Sequence, residues 1–154
     1  MKKTKEALFW IATILRKNKI PFQITGGFAA KVYGSKRKLS DIDIELPNKF
    51  IYNLEDFVKG KIIYGPRIYK SKNFELLLMT LKFKGQIIDL CGTENQRIFN
   101  KTIKKWEDEN IDLSKSIRKK TYGLIVPMIQ LKDLINYKEK IRRKVDLIDI
   151  KNII

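Results

Sequence analysis

The stretch Thr25-Gly26-Gly27-Phe28-Ala29-Ala30 and the later stretch Ser40-Asp41-Ile42-Asp43-Ile44-Glu45 decide the fold. Side chains alternate across a β-strand, so Asp41, Asp43 and Glu45 lie on one face and the two isoleucines on the other. The pattern predicts a strand that packs its isoleucines into a core and carries a row of carboxylates on its opposite face.

The carboxylates of Asp41 and Asp43 are close enough to repel each other. Cβ atoms at i and i+2 lie about 6 to 7 Å apart, which corresponds to about 2 to 3 kcal/mol of repulsion at an effective dielectric constant near 20. A hard divalent cation removes that penalty, and Mg²⁺ is usually held by one or two carboxylates plus substrate phosphates. The alternative is that both side chains are solvated polar positions on an amphipathic strand.

The two glycines precede this acidic strand at a change of secondary structure. Residues 20–24 read as a short strand and residues 28–33 contain helix-forming residues, so Gly26 and Gly27 occupy a strand-to-helix turn. Glycine lets the backbone approach a phosphate closely, and a helix N-terminus favours negative charge. The alternative for a glycine pair alone is a tight turn without a ligand.

A third carboxylate is expected from a neighbouring strand, and residues 83–90 offer Asp89 within an apolar run that follows a glycine turn. Asp89 lies 46 positions beyond Asp43 (89 − 43), which is enough chain for a helix, a connection and a long strand. Its other interpretation is an acidic residue that ends its strand and caps the next turn.

With these residues the chain resembles the nucleotidyltransferase superfamily related to polymerase beta, in which a Gly-Gly or Gly-Ser turn precedes an Asp-x-Asp strand and a later strand supplies another Asp. It looks most like the compact group of aminoglycoside and lincosamide nucleotidyltransferases and abortive-infection toxin-type enzymes. Residues 126–138 are similar to the helix of that group that follows a strand. The C-terminal pattern departs from the group, because Lys144 stands one place early relative to Asp146 and Asp149.

The resemblance implies an α+β fold in which helices pack around a mixed β-sheet, with residues 1–154 as a single domain. It also implies an Mg²⁺-dependent enzyme that moves a nucleoside monophosphate from a nucleoside triphosphate, most simply ATP, onto an acceptor hydroxyl and releases pyrophosphate. Asp41, Asp43 and Asp89 then hold the metal ions, and Asp89 is also a candidate to accept the proton of the acceptor hydroxyl. An antibiotic, a tRNA end, a protein side chain and another nucleotide all present such a hydroxyl.

A second set of residues is expected to contact the phosphates: Gly26, Gly27 and Ser35 to cradle the pyrophosphate, and Arg37, Ser40 and Lys138 to orient or neutralise it. Lys138 lies in the apolar stripe of the last long helix, and its alternative is a lysine that reaches from the stripe to water. The basic residues 142–144 fit either phosphate or RNA contacts or favourable charge at a helix C-terminus. Glu45 is expected to face solvent, and Asp146 to cap the final helix.

The formal charge is +16, from 33 basic and 17 acidic residues, and such an excess predicts an anionic partner such as RNA, DNA or an acidic protein. Of the basic residues 26 are lysines, and the chain has 24 isoleucines, so a lysine- and isoleucine-biased proteome explains the charge equally well. The alternative function is therefore a catalytically silent nucleotidyltransferase fold that binds RNA or a toxin-antitoxin partner, without Mg²⁺ or ATP.

The length of 154 residues predicts one domain with a real core. The chain has one cysteine and no histidine, which excludes disulfides, zinc clusters and histidine acid-base chemistry within one chain. Cys91 is interpreted as a small buried residue. The sequence contains no run of about 18 apolar residues and begins with an amphipathic segment, so we expect a soluble cytoplasmic protein.

Periodicity predicts the remaining elements. Helices are expected over residues 4–17, from Asn48 to a stop at Gly60, over residues 96–106 and from Leu131 through Ile141, with a final helix that Asp146 caps. Strands are expected over residues 61–64, 67–69 and 74–83, and an extended segment over residues 122–126 after a polar break at residues 107–110.

Overall fold

The computed structural model describes residues 2–153. Its helices are α1 (Lys2–Lys17), α2 (Gly26–Val32), α3 (Asn48–Asn53), α4 (Leu131–Ile141) and α5 (Lys144–Ile153), with a 3₁₀ turn at Leu113–Lys115. Its strands are β1 (Gln23–Thr25), β2 (Asp41–Leu46), β3 (Ile62–Lys70), β4 (Phe74–Phe83), β5 (Gln86–Gly92), β6 (Gln96–Asn100), β7 (Lys105–Glu109), β8 (Ile117–Thr121) and β9 (Leu124–Met128). Within residues 2–153 no helix is both long enough and apolar enough to cross a bilayer.

All nine strands belong to one mixed sheet, in the order β7-β6-β4-β5-β2-β1-β9-β8, with β3 paired to β4 off this path. Most neighbours are antiparallel, but β2 pairs with β5 in parallel and β1 pairs with β9 in parallel. The acidic strand β2 therefore lies in the interior of the sheet, between β1 and β5. The expected α+β architecture, with a mixed sheet and surrounding helices, is confirmed.

Strand β4 pairs with β3 along one edge, and with β5 and β6, end to end, along the other edge. Because β7 pairs with β6, the β6–β7 hairpin lies on the same side of β4 as β2 and β1. In agreement, Gln23 of β1 and Glu109 of β7 line the same cavity of about 280 Å³. This arrangement brings polar side chains of β1, β2 and β6 together.

The core forms where the apolar faces of β2 and β5 meet α1 and α2. The stripe of α1 that includes Leu8, Ile11 and Leu15 is fully buried, as are Ile42 and Ile44 of β2. These are the positions that helical and strand periodicity select. Burying the isoleucine face leaves the carboxylate face of β2 turned away from the core.

The predicted helix over residues 96–106 is wrong, since this segment forms the β-hairpin of β6 and β7. Burial alternates along β6, with Gln96, Ile98 and Asn100 inside. The Asn100 carboxamide accepts hydrogen bonds from the backbone N–H groups of Thr102 and Ile103, which is the turn chemistry that asparagine favours. Residues 107–110 are correspondingly not a break, because β7 continues to Glu109.

Three further boundaries differ from the predictions. The extended segment expected over residues 122–126 is shifted, because Tyr122 and Gly123 form the turn between β8 and β9, each with positive φ. Strand β3 is continuous through residues 65–66, where the pairing with β4 shifts register. Helix α3 ends at Asn53 and does not continue to Gly60. The expected helix end at the basic residues is present, because the left-handed conformation of Arg142 (φ 51°) ends α4 before α5 begins.

Candidate active site

Three carboxylates from two adjacent strands converge on one face of the sheet. Asp43 of β2 lies directly opposite Asp89 of β5 in their parallel pairing, and Asp41 precedes Asp43 by two residues on the same face. One carboxylate oxygen of each residue lies within 4.8 Å of the others, and all three residues are partly buried. The structure thus brings Asp89 next to Asp41 and Asp43, although Asp89 lies 46 positions beyond Asp43 in the sequence.

Neighbouring donors orient these carboxylates. The Thr80 hydroxyl of β4 donates to Asp89 Oδ1 at 2.6 Å, and the Ser40 hydroxyl donates to Asp41 Oδ1. The backbone N–H of Gly27 donates to Asp43. Each acid therefore accepts a hydrogen bond from a different segment of the chain.

The electrostatics of the triad favour a bound cation or proton. Burial, followed by the charges of Asp41 and Asp89, raises the pKa of Asp43 well above its usual range, against the lowering effects of the Gly27 N–H and Lys138. Burial also raises the pKa of Asp89 to about 6, with a further rise from Asp41 and opposition from Thr80. Oxygen ligands that share negative charge and open onto a cleft fit Mg²⁺, which keeps several water ligands and binds one or two carboxylates. The three aspartates are the residues that would hold it.

The glycine turn is required by close packing against the triad. Gly26 has φ +63°, and a Cβ atom there would lie 2.1 Å from Asp43 Oδ2. A Cβ atom at Gly27 would lie 2.8 Å from Arg37 Nη2. Helix α2 begins at this turn, so the turn brings backbone, carboxylate and guanidinium within contact of one another. Only glycine combines this φ with this approach at position 26.

Asp149 of α5 is fully buried and accepts hydrogen bonds from three side chains. The Ser35 hydroxyl donates at 2.6 Å, and Arg37 donates through Nε at 3.0 Å and Nη2 at 2.8 Å. Lys138 Nζ lies 3.0 Å away. Burial opposes ionisation of Asp149, but these donors outweigh it and lower its pKa to about 2. Ser35 is thus directed to Asp149, and its predicted contact with pyrophosphate stays a prediction.

Asp146 is the second buried carboxylate of α5. It accepts from Lys138 Nζ at 3.0 Å and from Arg143 through Nε at 2.8 Å and Nη2 at 3.2 Å. The backbone N–H of Arg143 also donates to it, so the expected helix-capping role of Asp146 is confirmed. Lys138 is 1% exposed and therefore does not reach water, because both α5 aspartates surround its ammonium group.

A cleft of about 420 Å³ joins these groups. The triad and the glycine turn line it together with the cations Arg37, Lys138 and Arg143, and the side chains Tyr69, Phe74 and Leu76 line it as well. Arg143 also lies over the Phe74 ring, 5.7 Å from its centroid. The cleft therefore contains the three carboxylates, three cationic side chains, and aromatic and aliphatic side chains.

The expectation that Glu45 faces solvent is wrong. Glu45 is 5% exposed, and its carboxylate accepts hydrogen bonds from the side-chain amides of Gln23 at 2.8 Å and Gln96 at 3.3 Å. Burial raises its pKa, and the two amides only partly offset that effect. The physical reason is the strand pairing, which sets Gln23 of β1 directly opposite Glu45, and the position of β6, which brings Gln96 to the same carboxylate.

Sequence reasoning missed several residues around the triad. Thr80 lies in a segment with no chemical signal of its own, and the aromatic lining from Tyr69 and Phe74 depends on the pairing of β3 with β4. Asp149 was singled out with Asp146 by the Asp-x-x-Asp spacing, which places both side chains on one face of a helix, but its contacts with Ser35 and Arg37 were not predicted.

The site lies on an α+β fold in which helices surround a mixed sheet, and this fold can be compared with known proteins. No family model matches the chain, and no curated protein sequence matches it. Solved protein structures, in contrast, do match this chain. A candidate nucleotidyltransferase from Thermotoga maritima superimposes with a TM-score of 0.75 at 20% identity, over 98% of this chain and 92% of that one.

Two further solved structures are also similar. A lincosamide antibiotic adenylyltransferase, solved with lincomycin bound, has a TM-score of 0.59 at 19% identity, over 96% of this chain and 94% of that one. The protein ANT(2″)-Ia, solved with adenylyl-2″-tobramycin, has a TM-score of 0.56 at 15% identity, over 97% of this chain and 87% of that one. At these identities the likeness establishes the nucleotidyltransferase fold for this chain.

Proposed function

We propose that this protein is an Mg²⁺-dependent nucleotidyltransferase that moves a nucleoside monophosphate from a nucleoside triphosphate to an acceptor hydroxyl and releases pyrophosphate. The observation that carries the proposal is the convergence of Asp41, Asp43 and Asp89 beside the Gly26-Gly27 turn, in a cleft that also contains cations. The proposal takes residues 1–154 as one catalytic domain acting in the cytoplasm.

The roles of the residues follow from what each one contacts. When bound by the three aspartates, Mg²⁺ stabilises charge on the phosphates and lowers the pKa of the acceptor hydroxyl. We propose Asp89, whose carboxylate accepts a hydrogen bond from Thr80, as the group that accepts the proton of that hydroxyl. Gly26 and Gly27 leave room for the phosphates at the start of α2, where backbone N–H groups favour an anion.

We assign the remaining phosphate contacts to Arg37, Ser40 and Lys138. Ser35 contributes through its hydrogen bond to Asp149. Arg37 lies against Gly27, and Ser40 lines the cleft beside Asp41. Lys138 is almost fully buried, so it supplies positive charge near the phosphates while its hydrogen bonds go to Asp146 and Asp149. Charge on the leaving pyrophosphate is stabilised by such preorganised donors.

ATP is the donor we propose, because two structural neighbours are described as an adenylyltransferase and as a complex with an adenylylated product. Their bound molecules, lincomycin and adenylyl-2″-tobramycin, make a small-molecule hydroxyl the first acceptor to test for this chain. An RNA end or a protein side chain remains the next acceptor to test, given the charge of +16.

The test is transfer of label from α-phosphate-labelled ATP, with Mg²⁺, to lincomycin, tobramycin, total RNA or a protein extract. Asp43→Asn removes a charge of the triad but keeps its shape, so we expect it to abolish transfer. Asp56→Asn is the matched control, because Asp56 is an exposed aspartate outside the cleft. Label transfer by Asp43→Asn at the wild-type rate would reject the assignment.

The second candidate is a catalytically silent fold that binds RNA or a toxin-antitoxin partner, and the charge of +16 favours it. Thermal shift measurements with Mg²⁺ and ATP separate the two functions, since ligand binding to the native state raises its stability. Salt-sensitive RNA binding that persists in EDTA, without any response to ATP and Mg²⁺, would favour the silent module.

A further inference from the structure

We propose that Asp149 and Asp146 are positioning residues that present the guanidinium groups of Arg37 and Arg143 to the triphosphate of the donor, and that Arg143 is a phosphate-binding residue. The inference rests on the proposed function. It concerns two arginine-aspartate pairs joined by Lys138, which we call the arginine clamp: Arg37, Lys138, Arg143, Asp146 and Asp149.

Both arginine pairs in the clamp are bidentate. Arg37 uses Nε and Nη2 on Asp149 at 3.0 and 2.8 Å, and Arg143 uses Nε and Nη2 on Asp146 at 2.8 and 3.2 Å. A bidentate pair fixes the plane of the guanidinium group as well as its position. Each arginine still has Nη1 free of its aspartate, so it keeps donors for a second anion.

Burial separates the two carboxylates from the two guanidinium groups. The side chains of Asp146 and Asp149 are 0% exposed, whereas those of Arg37 and Arg143 are 21% and 35% exposed. Both arginines line the same cleft as the triad. The aspartates therefore lie behind the arginines, and the exposed guanidinium surface faces the space that a triphosphate needs.

Lys138 joins the two pairs. Its ammonium group lies 3.0 Å from Asp146 and 3.0 Å from Asp149, and its side chain is 1% exposed. The clamp has three positive and two negative charges, so it keeps a net charge of +1 near the cleft. It also links α4, α5 and the segment after α2.

Replacing Asp149 should change the affinity for ATP in the direction opposite to that expected from net charge alone. Asp149→Asn removes a negative charge beside the cleft, and Coulomb attraction alone would then strengthen ATP binding. If Asp149 positions Arg37 and Lys138, its loss lets both side chains adopt other rotamers, and ATP binding weakens. A charge-assisted hydrogen bond contributes about 1.5 to 3 kcal/mol, so we expect about a tenfold or larger loss of affinity.

Titration calorimetry with Mg²⁺-ATP and with AMP tests this, because AMP lacks the β- and γ-phosphates. We expect Asp149→Asn and Arg143→Gln to weaken Mg²⁺-ATP binding about tenfold or more and AMP binding less than about twofold. Arg142→Gln is the matched control for the second variant, since Arg142 is the adjacent, exposed arginine. Asp56→Asn is the control for the first.

A double variant tests whether Asp149 acts through Arg37. The affinity loss of Asp149→Asn combined with Arg37→Gln should be smaller than the product of the two single losses, because both changes disrupt the same contact. A loss equal to that product would overturn the positioning role. Equal losses for ATP and AMP would also overturn it, since they indicate general damage to the site.

If Asp149→Asn does not fold, Arg37→Lys replaces it, because that change keeps the charge and loses the bidentate contact. Unchanged Mg²⁺-ATP affinity in Arg37→Lys would then overturn the proposal. Wild-type protein that binds neither ATP nor AMP would refute the proposed function itself. Wild-type binding that both Asp149→Asn and Arg143→Gln retain would refute only the arginine clamp.

Discussion

Asp43→Asn should stabilise the metal-free protein while it removes the response to Mg²⁺. The three carboxylates place oxygen atoms within 4.8 Å of one another, which corresponds to about 3 kcal/mol of repulsion per ionised pair at an effective dielectric constant of 20. Asparagine keeps the shape of aspartate and can still accept the hydrogen bond from the Gly27 N–H. The variant therefore loses two repulsive pairs and little else.

The net gain is smaller than the full repulsion, because the raised pKa of Asp43 and of Asp89 already relieves part of it through protonation. A gain of about 2 kcal/mol corresponds to a rise of about 4 to 8 °C in melting temperature for a chain of this size. Asp56→Asn is the control for the effect of net charge on the melting temperature, since the loss of any acidic residue increases the net charge of a protein at +16.

The assay is thermal unfolding in EDTA and in Mg²⁺. Wild-type protein should gain about 2.7 kcal/mol when Mg²⁺ is at one hundred times its Kd, so the order of stability of wild type and Asp43→Asn should reverse between the two conditions. A lower melting temperature of Asp43→Asn in EDTA, or equal Mg²⁺ stabilisation of both proteins, would refute the reasoning.

Three further predictions concern the same site. In EDTA the melting temperature should rise as pH falls from 7.5 to 5.5. The folded-state pKa of Asp89 is about 6 and that of Asp43 is also raised, so the folded state binds more protons than the unfolded chain in this range. Asp89→Asn should flatten this dependence of melting temperature on pH. Gly27→Ala should lower the melting temperature and weaken ATP binding in calorimetry, since its Cβ would lie 2.8 Å from Arg37 Nη2 and displace that atom from buried Asp149. Lys138→Met should cost about 3 to 5 kcal/mol of unfolding free energy in denaturant titrations, because it leaves two buried aspartates without their shared cation, whereas Lys132→Met on the exposed side of α4 should cost less than about 0.5 kcal/mol.

The triad was predictable because its signals are local. Alternation along β2 is enough to place Asp41 and Asp43 on one face, and a glycine pair between a strand and a helix marks the turn. The register that sets Asp43 opposite Asp89 is a non-local property, which the sequence suggested only through an acid inside an apolar run. The pairing with β5 then determined which of the chain's aspartates completed the site.

The hairpin of β6 and β7 was not predictable from periodicity, because its apolar residues imitate helical spacing. Phe99, Ile103 and Trp106 recur at intervals of four and three that suit a helix, while the decisive contacts are Asn100 with its own turn and Gln96 with Glu45. The second contact joins residues 51 positions apart. The same non-local packing buries Glu45, which a strand pattern alone assigns to solvent.

Lys138 shows how a correct physical premise led to only part of the answer. A lysine on the apolar stripe of a helix needs an anion, and the structure places two there, Asp146 and Asp149 of the same chain. Their approach depends on the left-handed conformation of Arg142, a residue type that gives no signal of a helix break. The two buried carboxylates offset two of the three positive charges. The partly exposed Arg37 and Arg143 carry the positive charge that a substrate can contact, and Lys138 joins their two aspartate partners.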